Sequence, residues 1–222
     1  ENTVRAHISA ATLEAGGTVS ITGSAAALTL TDSKNNSGGI VGVGRSDTSI
    51  RIWSDNQAYV GDGTRVSAQD VAITATTALT ATGVNYAKSG AGIAIANAET
   101  GTVLIDFLTR AAVNAGADVV ARDTVAITAT TSVNGQQQST GTGLGFGADG
   151  RSEAVTKVGD SNVAGKENAT TEVAIGSAAS VTGLSVALRA LVPSIIALAT
   201  SKSYGAGFYS QGIDDATVQV NA

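Results

Sequence analysis

The chain has 222 residues, 43% of them apolar and 14% charged, a balance that excludes a solvated disordered tail and permits a buried core. Aromatic residues make up 4%, Cys and Met are absent, and 27 Gly stand against one Pro, so Ala, Val, Ile and Leu must fill a thin interior. At a net charge of −5, with Arg45, Arg51, Arg65, Lys88, Arg110 and Arg122 scattered singly, the concentrated basic footprint that nucleic acid requires is missing, and without Cys there is no disulfide, thiolate metal site or thiol nucleophile.

The chain opens with Glu1-Asn2-Thr3-Val4, without initiator Met or apolar leader, and is expected to be a piece of something longer. Thr18-Val19-Ser20-Ile21-Thr22 is the first predicted strand. Its form returns in Asp70-Val71-Ala72-Ile73-Thr74-Ala75-Thr76-Thr77 and again, almost letter for letter, in Thr124-Val125-Ala126-Ile127-Thr128-Ala129-Thr130-Thr131. A weaker fourth copy, Gly183-Leu184-Ser185-Val186-Ala187-Leu188, aligns with Leu184 in the place of Val125. Each copy is followed by a glycine alternation: Gly42-Val43-Gly44, Gly90-Ala91-Gly92, Gly141-Thr142-Gly143-Leu144-Gly145 and Gly205-Ala206-Gly207. A further strand is read at Ser49–Trp53, Thr102–Asp106, Thr171–Ile175 and Thr217–Val220, and a strand running into a turn at Ala58–Gly63 and Ala111–Gly116.

Alternation with period two dominates, and helical spacing is nowhere sustained. The expected fold is therefore all-β, a parallel β-helix (β-solenoid) of about four imperfect repeats of roughly 54 residues, at 1–65, 66–119, 120–178 and 179–222 of a single segment. A triangular coil usually takes some 20 to 30 residues, so two coils per repeat are expected, about eight in all, giving a rod of roughly 40 Å. The polar runs Asp32–Gly38 and Val158–Asn162 are expected to bulge as loops.

Candidate chemistry is sparse. His7 is the only histidine, which leaves transition-metal ligation and a Ser-His-Asp relay without partners. Gly145-Phe146-Gly147-Ala148-Asp149-Gly150 fits the dinucleotide fingerprint by letter, but a period-two stretch follows where a helix is needed. Asp62, between Gly61 and Gly63, is read as a turn residue rather than a calcium ligand. Asp214-Asp215 is the only adjacent acidic pair and is expected in a solvated turn. Thr74, Thr76, Thr80, Thr82, Thr128 and Thr130 form either an ordinary exposed strand face or a flat face that orders water. Asn35-Asn36-Ser37 and Asn168-Ala169-Thr170 match the glycan acceptor pattern. The longest apolar stretch, Leu184 to Ala199, is broken by Arg189 and Pro193 and falls short of the roughly 20 residues of a membrane-spanning helix. No catalytic, cofactor-binding or metal-ligating residue is assigned.

Val71-Ala72-Ile73-Thr74-Ala75-Thr76, Gly90-Ala91-Gly92-Ile93-Ala94-Ile95-Ala96-Asn97-Ala98 and Val113-Asn114-Ala115-Gly116-Ala117-Asp118-Val119 resemble the repeat shaft of large bacterial exoproteins, the filamentous haemagglutinin-like and leukotoxin-like filamentous adhesins. The resemblance spans nearly the whole chain. It implies secretion, surface display and an extended right-handed β-helix. The expected function is a non-enzymatic structural segment of an extracellular or cell-surface filament or adhesin. Its expected partners are further copies, met end to end or along strand edges, and host or matrix glycans or proteins. The alternative is a carbohydrate-active or carbohydrate-binding β-helix whose site would need converging carboxylates.

Overall fold

A computed structural model describes residues 1–159 and 169–221. Its regular elements are all strands: β1 (Asn2–Ile8), β2 (Thr12–Glu14), β3 (Thr18–Val60), β4 (Arg65–Ala68), β5 (Asp70–Val113), β6 (Asp118–Ala121), β7 (Thr124–Leu144), β8 (Gly147–Val158), β9 (Thr170–Ile175), β10 (Ser180–Thr182), β11 (Ser185–Ala206) and β12 (Tyr209–Val220). All pair in parallel. One sheet runs β1-β3-β5-β7-β11, with β8 and β9 also on β5 and β12 on β8; the other runs β10-β6-β4-β2. This is a parallel β-helix.

The repeated segments stack as their likeness predicts. Val19 pairs with Val71, Val71 with Val125, and Val125 with Val186, so identical or similar side chains form one column. Because Val19 and Val71 are direct neighbours, 52 residues apart, no strand lies between them. The expectation of two coils per repeat is thereby overturned: one turn of the solenoid consumes the whole unit. At this column the stack is four strands deep, about 14 Å from first to last rather than 40 Å.

Three alignments also change. Val186, not Leu184, takes the place of Val125. Thr171–Ile175 pairs with Thr109–Val113 and so belongs with Ala111–Gly116, not with Thr102–Asp106. Gly42 and Gly44 lie beside Ala94 and Ala96, whereas Gly90 lies beside Gly38 and Ala91 beside Gly39, so the first glycine alternation sits past the bend that the second spans.

A turn this long closes because its cross-section is a wedge. β3 runs outward to Gly38, reverses where Gly39 takes a φ of 131°, and returns. Its two arms face each other, with the Ser33 and Ser46 hydroxyls 2.8 Å apart and Asn35 Nδ2 donating to the Arg45 carbonyl at 2.7 Å. Asp32–Gly38 is thus strand, not the expected loop. Of Val158–Asn162, Val158 ends β8, Gly159 follows it, and 160–162 lie outside the described residues.

At the wide end the short strands β2, β4, β6 and β10 form a third side around Val19, Ile21, Val60, Val66, Val71, Ile73, Val113, Val119, Val125 and Ile127. The turn there places Ala10, Gly63, Gly116 and Ala178 at φ between 52° and 65°. Farther out a second cluster holds Leu79, Val103, Ile105, Phe107 and Val133. Toward the tip the gap narrows until small residues such as Ala87, Ser89, Ala94, Ala96 and Gly141 fill it.

Between the two apolar clusters runs a chain of hydroxyls along the axis. Thr171 donates to Thr131 at 2.8 Å, Thr131 to Thr109 at 2.8 Å, and Thr109 to Thr77 at 2.7 Å, while Asn56 Nδ2 reaches Thr77 at 3.2 Å. Thr77, Thr109 and Thr131 are fully buried, and the chain crosses from arm to arm at each step, tying the wedge shut. Thr109→Val keeps the shape but removes one donor and one acceptor from the middle. It is expected to cost about 1–3 kcal/mol, read by urea denaturation, because Thr131 then buries a hydroxyl with no acceptor.

Candidate functional site

The outer face of the returning arms carries the principal concentration of chemistry. Here β5 bulges: the two residues Glu99 and Thr100 oppose the single Asp47 of β3 on one side and the single Glu153 of β8 on the other, so the register shifts by one across each pair. Asp215 of β12 pairs with Glu153. The ladder therefore stacks Asp47, Glu153 and Asp215 in one column interrupted by Thr100, whose hydroxyl donates to Glu153 Oε2 at 2.7 Å. Like charges opposed on neighbouring strands repel, and this hydrogen bond partly offsets that cost. Arg151, one step along the strand pattern, is engaged by Asp149 at 2.8 Å.

A shallow groove of about 670 Å³ lies over the column, lined by Asp47, Asn97, Thr100, Arg151, Glu153 and Asp215 among others. It shares Thr100 and Glu153 with a second groove of about 430 Å³, which runs on past Arg51, Lys157 and Thr217. Toward the tip a third, of about 450 Å³, is lined by Ile93, Ile95, Asp149 and Tyr209. At the tip Phe146 stacks on Phe208 with centroids 5.5 Å apart, and Tyr209 meets both edge-on. All three rings are largely exposed.

No family model, curated protein or solved structure matches the chain.

The sequence-derived candidates separate cleanly. Asp214 and Asp215 lie in strand β12, not in a turn, and alternate in direction: Asp214 accepts from Ser203 Oγ at 2.6 Å while Asp215 lines the groove. His7 is exposed and stacks on Tyr59, its neighbour in the ladder, at 4.9 Å. Gly145 and Phe146 form the tip and strand β8 follows from Gly147, so the dinucleotide letters fall in a strand reversal and no helix follows them. Asp62 is exposed in the turn that Thr64 N closes onto Gly61 O at 3.3 Å. Thr74, Thr76, Thr80, Thr82, Thr128 and Thr130 all point outward on one face, with Thr74 beside Thr128 and Thr76 beside Thr130. Asn35-Asn36-Ser37 is in strand β3, while Asn168 lies outside the described residues.

Asp47 and Glu153 were not singled out from the sequence. The signal that finds them is the ladder itself, since they become neighbours of Asp215 only when the turn length and the bulge are known. Among the described residues no group of three or more His, Asp or Glu side chains is close enough to hold a metal ion. Among the described residues no helix is long and apolar enough to cross a membrane.

Proposed function

We propose that the chain is a non-enzymatic structural segment of an extracellular or cell-surface bacterial filament or adhesin, a β-solenoid of about four imperfect repeats of roughly 54 residues. The observation that carries this reading is the unbroken parallel ladder from Val19 through Val71 and Val125 to Val186. Its hydrogen bonds run along the stack, so a pull on the axis loads many at once, while a wedge packed with small side chains and few charges offers proteases little to grip. The likeness to filamentous haemagglutinin-like and leukotoxin-like shafts supports secretion and surface display.

Immunogold labelling of intact cells of the source organism, followed by electron microscopy, tests it. Label is expected on thin filaments outside the cell. Label confined to the cell interior, or the intact protein seen only as compact globules, would overturn it.

A second reading is favoured by the continuous groove and the exposed rings beside it: binding of an extended polysaccharide along the returning arms. Asn97, Thr100 and Glu153 offer hydrogen bonds, and Phe208 and Tyr209 offer faces for sugar rings. A reducing-sugar assay and a pull-down on acidic polysaccharides, with Asp214→Ala and Asp215→Ala compared, decide it. Retention that falls at least about tenfold for Asp215→Ala and not for Asp214→Ala would favour this reading, since a lost charged hydrogen bond is worth that much. Indifference to both removes it.

A further inference from the structure

The two broad faces of the wedge differ in charge. On the returning arms one outward column holds Arg45 and Arg151, the next Asp47, Glu153 and Asp215, and another Arg51 and Lys157. The outgoing arms carry nothing comparable. Between Val71 and Ala87, and again between Thr124 and Ala148, the sequence contains no Asp, Glu, Lys or Arg. These stretches open the two inner turns, which have a strand on both sides, so their outward side chains point away from the stack whatever lies above or below it. A solvated surface ordinarily gives about a quarter to a third of its positions to charged residues.

What replaces charge here both donates and accepts. Outward columns place Thr74 beside Thr128, Thr80 beside Asn134 and Thr82 beside Gln136. A hydroxyl or a carboxamide serves as donor and acceptor, whereas an ammonium only donates and a carboxylate only accepts. In a two-fold contact one patch meets its own copy, so a charged patch opposes like with like, and a patch of hydroxyls and amides is its own complement. Gln136 Nε2 donates to Asn134 Oδ1 at 3.0 Å, which leaves the Asn134 N–H groups and the Gln136 oxygen to an opposing chain. The alanines and threonines that make up much of the rest lose little rotamer freedom when covered.

The extent of the face suits such a contact. Across β3, β5, β7 and β11 it measures about 40 Å along the strands and about 19 Å across them, about 800 Å² in all, which is the share each partner contributes to a standard specific interface. Its charges lie at the margins, where Asp32 holds Lys34 at 2.6 Å in β3 and where Arg189 and Lys202 stand in β11. Its centre, at Ala78, Thr80 and Ser132, is neutral along both inner turns.

We infer that two copies of this chain pair side by side, their outgoing faces laid sheet on sheet about a two-fold axis near Thr80 and Ser132. The contact uses neither the ends of the stack nor a strand edge, and it stands apart from the filament reading. It is isologous and closes at the dimer, so it thickens the solenoid rather than lengthening it.

Sedimentation velocity on the purified chain over a concentration series tests it. A dimer that grows in with rising concentration is expected. Thr80→Lys and Thr80→Glu each bring two like charges into the covered centre, and each is expected to raise the concentration for half-association at least about tenfold. An equal mixture of the two variants at low salt sets Lys against Glu and is expected to recover most of that loss. Thr102→Lys, on the returning arm, is expected to leave association unchanged. Circular dichroism should stay β-type in all three variants, because each side chain points out of the core.

A monomer at every concentration with intact β structure would overturn the inference. So would association indifferent to the Thr80 variants or weakened equally by Thr102→Lys, and so would a mixture that associates no better than either variant alone. Each of these results leaves the surface-filament reading to the labelling on cells, which decides it independently.

Discussion

Gly141→Val is expected to destabilise the purified chain by about 3 kcal/mol, the upper end of the usual cost of overpacking, in thermal or urea denaturation. A Cβ on Gly141 would overlap the carbonyl oxygen of Arg151 on the opposing arm. That oxygen cannot retreat, because Arg151 is laddered to Asn97 on one side and Ile213 on the other. Two residues on, Gly143 faces Asp149 in the same way, its added Cβ falling 2.7 Å from the carbonyl oxygen. The tip of the wedge is therefore backbone packed on backbone, a closeness only glycine permits. Gly90, in a sequence pattern that looks equivalent, has open space where its Cβ would be. Gly90→Ala is expected to shift stability by no more than about 0.5 kcal/mol. A cost below about 1 kcal/mol for Gly141→Val would show that the arms are not in contact at Gly141.

This contrast marks where the sequence is informative. Stacked copies of one segment keep similar side chains, because each sits in the environment made by the last, so Val71 and Val125 declare their pairing by likeness alone. The perimeter of the turn has no such signature. Period-two alternation states which way a side chain faces, not how far the chain runs before it bends, so a 52-residue step and two shorter ones look alike until Val19 is found beside Val71.

The run Asp32–Gly38 is polar because the arms there are too close to hold an apolar core. Ser33 and Ser37 face inward as hydroxyls, and the polar composition that suggests a loop belongs to a narrow strand pair. The fourth copy slips by two because Leu184 and Val186 are both apolar and of one parity, and only the ladder distinguishes them. The acidic column is hidden for a related reason. Asp47, Glu153 and Asp215 are unevenly spaced in sequence, and a bulge at Glu99 and Thr100 must be placed before they align.

Phe107→Ala is expected to cost about 3–5 kcal/mol, the largest loss of any core truncation among the described residues. Phe107 is 1% exposed and is the largest of the fully buried side chains among the described residues. It lies at the point where the wedge begins to narrow, amid Leu79, Ile105, Val133, Val158 and Ala169. Most columns along the axis repeat a side chain of similar size, so a truncation at one level can be partly filled by its neighbours above and below. At Phe107 the strand neighbour is Ser54, and Ala169 belongs to the same cluster, so one ring fills space that small residues leave free. Removing it leaves a cavity that its close-packed neighbours can fill only in part. Phe107→Leu, which restores most of the volume, should cost no more than about 1.5 kcal/mol. Chemical denaturation of both variants measures the difference, and a cost below about 1 kcal/mol for the alanine variant would mean that the two arms close over the gap.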